Sequence, residues 1–160
     1  EVSLRETPDP ARIEWASFAC ILLRGKMIEQ VGLMDEGYFL YFEDAEYCLR
    51  ARRAGWRVFY VPQAVAIHFR GGSGPVKALP RKHKRLPAYY YSSRSRFLYQ
   101  AHGWGGLMAA NLAWYMGRMV AHLRYLAGSH PHPMAQNQQC DIWINMRRPM
   151  GPRHGPEDQS

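Results

Sequence analysis

Residues 37–53 read GYFLYFEDAEYCLRARR, and the fold turns on them. An aromatic run from Tyr38 to Phe42 delivers two adjacent acids, Glu43 and Asp44, to a segment with helical periodicity. In that segment Ala45, Cys48 and Leu49 share an inward stripe, while Arg50, Arg52 and Arg53 mostly face away. Gly55 ends the helix. Upstream, KMIEQV (26–31) predicts a short helix stopped by Gly32, and the apolar WASFACILL (15–23) predicts a buried strand closed by Arg24 and Gly25. Downstream, RVFYV (57–61) and AVAIHF (64–69), separated by Pro62 and Gln63, predict two further strands. Strand, helix, acidic turn, helix and paired strands together predict an α/β layer structure.

A chain of 160 residues holds one domain of ordinary size or a piece of a larger one, and 47% hydrophobic residues supply a core. With 21% charged residues it is not a disordered polyelectrolyte. Cys20, Cys48 and Cys140 are an odd number, widely spaced and without a CxxC pair, which argues against a disulfide framework and a structural zinc site and predicts reduced thiols. The start, EVSLRETPDPARIEW, lacks the cationic and apolar blocks of a signal peptide and begins without Met, as a fragment does. The net charge of +8 is unevenly placed. Asp35, Glu36, Glu43, Asp44 and Glu46 fall within twelve residues, whereas residues 47–140 contain fourteen Lys and Arg and no acid. A broad basic surface suits a polyanion, an anionic bilayer or a phosphorylated small molecule.

Beyond Phe69 the character changes. RGGSGP (70–75) predicts a loop, PRKHKR (80–85) a basic run, and AYYYSSRSRFLY (88–99) the start of a helix that continues through 104–128. The apolar part before Arg118 is about fourteen residues, short of the roughly 20 a bilayer span requires. This helix suits either core packing or a membrane surface, with Arg118, His122 and Arg124 near headgroups. From Ser129 onward the Pro, Gln and His content predicts a largely disordered tail containing one order-prone patch, DIWINM (141–146). The expected division is therefore 1–75, 76–128 and 129–160.

Glu43 and Asp44 are the centre of the chemistry. A helix start favours a negative group, so Asp44 fits a plain capping role. Three neighbouring acids repel one another, however, and a cluster of this kind also suits work on a cation, a sugar hydroxyl or a proton. His68, on the strand-like AVAIHF run, fits a satisfied structural histidine or a metal ligand. The Arg70, Gly71, Gly72 loop after it fits a diphosphate cover, although it lacks the lysine and register of a P-loop.

Taken in order, WASFACILLR (15–24), VGLMDE (31–36), YFLYFEDAEYCLR (38–50), RAGWRVFYVP (53–62) and AIH (66–68) closely resemble the C-terminal half of the catalytic domain of family two inverting glycosyltransferases. These are GT-A enzymes, including bacterial rhamnosyltransferase-like and galactofuranosyltransferase-like proteins. The resemblance covers about residues 14–75, and residues 76–128 are similar to the helical extension of such proteins.

The resemblance implies a GT-A, Rossmann-like α/β fold followed by that extension, and transfer of a sugar from a nucleotide-sugar donor to a glycan or lipid-linked hydroxyl. In it Asp44 looks like the general base, Glu43 its partner at the acceptor, and His68 a ligand to Mg²⁺ or Mn²⁺. Arg70, Gly71 and Gly72 would contact substrate; Trp15 suits a pocket wall or the core. Arg50 and Asp35 look structural. The chain departs from the family in Met34, Glu46 and Tyr47, where Phe, Asp and Leu are usual, and it lacks a DxD pair, so the metal site would be incomplete. The implied place is the cytoplasm, peripheral on the inner face of the membrane, with an anionic membrane surface as a partner and no nucleic acid. The alternative is a non-catalytic basic module for anionic lipid or nucleic acid.

Overall fold

The computed structural model describes residues 13–67, 76, 79, 82–129 and 134–155. Among them are helices α1 (Gly25–Val31), α2 (Glu43–Arg53), α3 (Ala88–Leu126) and α4 (Gln138–Asp141), and no strand. The expected α/β layering is therefore not seen among the described residues. The runs 15–23, 57–61 and 64–67 carry no ladder, and Leu22, Phe59, Val65 and Ile67 are exposed. A strand exists through hydrogen bonds to a neighbouring strand. None of these runs has such a neighbour among the described residues.

The chain forms two units. The first takes residues 13–35 and 42–67. Met27 of α1 and Tyr47 and Ala51 of α2 are its buried centre, with Phe18, Leu23, Ile28, Val31 and Trp56 packed around them. The α2 stripe is turned slightly from the expected one: Glu46, Tyr47, Cys48 and Ala51 are buried, and Ala45 and Leu49 only partly. Tyr47 sets this rotation, meeting Phe18 edge to face at 5.9 Å and donating its hydroxyl to the Gly32 carbonyl at 2.8 Å. Gly32 (φ 81°) closes α1 as the sequence predicts, its N–H returning to the Ile28 carbonyl.

The second unit takes residues 36–41 and the described residues from 76 onward. Its core gathers Val76, Leu86, Tyr91, Ala135 and Ile142. Helix α3 is broken at Gly103 (φ 66°, ψ −166°), a conformation reserved for glycine. Its arms, 88–102 and 104–126, fold back on each other. Arg94 donates to Asn111 Oδ1 at 2.6 Å, whereas seventeen residues of straight helix would hold them about 25 Å apart.

Two expected boundaries differ from the structure. Residues 36–41 pack with the second unit because their aromatic rings find partners there. Phe39 and Tyr41 meet Tyr89 at 5.2 and 6.3 Å, and the Ser93 hydroxyl donates to the Leu40 carbonyl. The tail expected to be largely disordered from 129 is packed over 134–155. Asp141, 2% exposed, accepts two hydrogen bonds from Arg85; Ile142 is buried; and Ser95 and Asn111 of α3 donate to the Ile144 and Ile142 carbonyls. Composition registers polar residues but not that α3 offers them donors. No described helix is long and apolar enough to cross a membrane.

Candidate functional site

The acidic pair directly follows two strained backbone positions. Tyr41 (φ 70°) and Phe42 (φ 68°) are consecutive non-glycine residues in the left-handed region. Each such residue costs roughly 1–2 kcal/mol, and strain of this kind concentrates where geometry serves a function. Phe42 is the N-cap of α2, with no side-chain capping bond, and its carbonyl accepts the Glu46 N–H at 2.9 Å. The first turn of α2 therefore begins abruptly at Glu43 and Asp44.

Asp44 is half-buried at the second helical position. Its Oδ1 accepts the Ala45 N–H at 2.7 Å, so it neutralises one of the unpaired donors of the first turn without being the cap residue itself. Its other oxygen has no hydrogen bond to a described residue. Glu43 differs. Its Oε2 is buried without a hydrogen-bond partner among the described residues, and burial, with a smaller push from the Asp44 charge, raises its carboxyl above the ordinary range. Two adjacent carboxyl groups thus occupy unlike environments, one tied to the helix start and one desolvated.

The third acid has a structural task. Glu46 is buried and receives both Arg50 Nε (2.8 Å) and Nη2 (3.0 Å), while Arg50 also donates to the Val31 and Leu33 carbonyls and lies over the Tyr47 ring. Arg50 and Tyr47 thereby satisfy the open C-terminal carbonyls of α1. The four-residue spacing of Glu46 and Arg50 was the sequence signal for this pair. The left-handed turn at Tyr41 and Phe42 left no such signal.

Of the other expected site residues, Trp15 is 54% exposed and outside the core cluster. His68, Arg70, Gly71 and Gly72 lie outside the described residues. No group of three His, Cys, Asp or Glu among the described residues is placed to hold a metal ion. Neither of two open cavities among the described residues is lined by Glu43 or Asp44. One, of about 370 Å³, lies at the far end of α2 beside Arg52, Arg53, Trp56 and Arg57; the other, of about 740 Å³, lies in the second unit between Gly37, Arg96 and Met150 to Arg153. The cysteines are unpaired, and Cys48 is buried.

Residues 12–91 match the family described as glycosyltransferase like family 2, and the chain belongs to that family. It is 33% identical over 120 residues to the N-acetylglucosaminyl-diphospho-decaprenol L-rhamnosyltransferase of Mycobacterium tuberculosis, a match covering 73% of this chain and 36% of that protein. It is 40% identical over 57 residues to rhamnosyltransferase WbbL of Escherichia coli K12, covering 36% of this chain and 22% of that protein. A shorter similarity, 32% over 56 residues, covers 35% of this chain and 18% of the low-salt glycan biosynthesis hexosyltransferase Agl10 of Haloferax volcanii. The chain thus spans about a third, or less, of the length of these relatives. No solved structure matches it.

Proposed function

We propose that this chain is the acceptor-side part of an inverting GT-A glycosyltransferase, and that Asp44 is its general base. The free oxygen of Asp44 takes the proton of an acceptor hydroxyl as that oxygen bonds to the anomeric carbon. The bond from that carbon to the nucleoside diphosphate breaks on the opposite face, and the configuration inverts. Glu43 orients the acceptor beside it, and Trp15 contributes a pocket wall. The observation that carries this reading is the placement of Asp44: first helical turn, one oxygen fixed by the Ala45 N–H, the other without a partner among the described residues.

The names of the relatives support transfer of a sugar, rhamnose in two of them, and one names a diphospho-decaprenol, which supports a lipid-linked acceptor; the nucleotide-sugar donor follows from the proposed GT-A chemistry. A reaction on such an acceptor belongs at the inner face of the membrane, where cytoplasmic donor and lipid carrier meet. Donor contacts fall to Arg70, Gly71 and Gly72 in this reading. His68 would contribute to holding Mg²⁺ or Mn²⁺, which would neutralise the departing diphosphate when bound; the described residues supply no further ligand set.

The test is sugar transfer by the protein carrying this segment, with Asp44→Asn as the variant. Turnover falls roughly 10²–10⁴-fold while the thermal midpoint stays close to wild type. Transfer within a few-fold of wild type would remove Asp44 from the base role.

A further inference from the structure

The 104–126 arm of α3 has two faces, and both are unusual. Leu107, Asn111, Trp114, Arg118 and Ala121 recur at spacings of four and three and form its buried or half-buried side. Leu112, Met116, Met119, Leu123 and Leu126 recur with the same rhythm, turned by about 140° around the helix, and all are exposed, Met116 at 64% and Leu123 at 57%. Val120 adds to the exposed side. A helix on a soluble surface carries polar residues opposite its packed face. This one carries a continuous apolar band, of a kind that marks an interaction surface.

Charge selects the occupant. His122 and Arg124 are exposed and fall on opposite edges of the band, and residues 47–140 contain no Asp or Glu at all. Pairing this face with a second copy of itself would bring arginines and histidines together with no acid on either arm to answer them. An anionic headgroup layer answers them directly, with long basic side chains reaching the phosphates while the band enters the acyl boundary. The arm is about 35 Å long, and its apolar content is too low to span a bilayer, so it would lie in the plane of the surface.

We infer that the outer face of residues 104–126 is a docking surface for an anionic membrane, seated through Leu112, Met116, Met119, Leu123 and Leu126 and flanked by His122 and Arg124. This docking does not depend on Asp44 and holds whether or not the sugar-transfer reading does.

Cosedimentation of the 160-residue chain with lipid vesicles tests it. Association is expected with equimolar phosphatidylcholine and phosphatidylglycerol, weaker association with phosphatidylcholine alone, and a fall in binding as salt rises. Met116→Glu combined with Leu123→Glu lowers the association at least about tenfold while the circular dichroism of the helices is unchanged, because both side chains stand in solvent. The inference is overturned if the wild-type chain stays in the supernatant with the anionic vesicles, or if the double variant binds as well as wild type. It is also overturned if sedimentation equilibrium shows a dimer that the double variant abolishes while vesicles recruit neither protein.

Discussion

Arg50 grips both oxygens of Glu46 one helical turn before it, at 2.8 and 3.0 Å, and in doing so removes one acid from the acidic cluster around Asp44. The same guanidinium caps the end of α1 through the Val31 carbonyl. Arg50→Ala leaves Glu46 buried without its counter-charge and is expected to cost about 3 kcal/mol in urea denaturation. Glu46→Gln, which keeps one acceptor, costs less, about 1–2 kcal/mol. A loss under about 0.5 kcal/mol for Arg50→Ala would mean that solvent, not Arg50, satisfies Glu46.

Glu43 gives a pH signature. Burial raises its carboxyl in the folded protein above the ordinary 4.5, so between those two values the folded state holds a proton that the unfolded state has released. Stability therefore falls as pH rises through that window, and the burden stays above it. Glu43→Gln is expected to be more stable than wild type near neutrality, with the difference vanishing below the ordinary glutamate value. Urea midpoints for both proteins across acid to neutral pH check this; a constant difference would exclude titration of Glu43 as its source.

Two glycines in α3 respond in opposite directions. Gly103 sits at φ 66° with open space around its Cα, so Gly103→Ala meets no steric neighbour and its cost is purely conformational, roughly 1–3 kcal/mol. Gly117 is helical, with open space as well, and Gly117→Ala is expected to stabilise by about 0.5–1 kcal/mol. Thermal midpoints that move the same way for both would show that the break at Gly103 is not fixed by its backbone.

Gly37 lies directly under the Arg96 guanidinium, which also stands over the Tyr38 ring and donates to the Gly151 carbonyl at 3.2 Å. A Cβ at 37 would displace the guanidinium. Gly37→Ala is expected to cost about 1–2 kcal/mol in wild type and much less in an Arg96→Ala background. Additive losses in that double-mutant cycle would separate the two positions.

The helices were legible in the sequence because their signals are local. Gly32 stops α1, the acids open α2, and the aromatic string from Ala88 starts α3. The strands were read from β-branched and aromatic runs, but a strand is a relation between segments, and 57–61 has no neighbour to pair with among the described residues. The packed 134–155 segment was missed for the same reason: Asp141 and Ile142 matter through Arg85, Ser95 and Asn111, which are distant in sequence. The family was legible from spacing around Glu43 and Asp44, and residues 12–91 bear it out. The left-handed pair that sets up those acids was not legible, because Tyr and Phe carry no compositional mark of positive φ.

The packing of residues 36–41 has a topological consequence. The chain leaves the first unit at 35, returns at 42 and leaves again between 67 and 76, so no single cut yields either unit whole. Deleting everything after residue 75 would strip Tyr38 of Gln100, Leu40 of Ser93 and Tyr41 of its ring partners, in the very segment that leads into Asp44. Trimming or swapping the helical extension as an independent module would therefore leave residues 36–41, which lie between the two stretches of the first unit in the chain, without the partners they pack against.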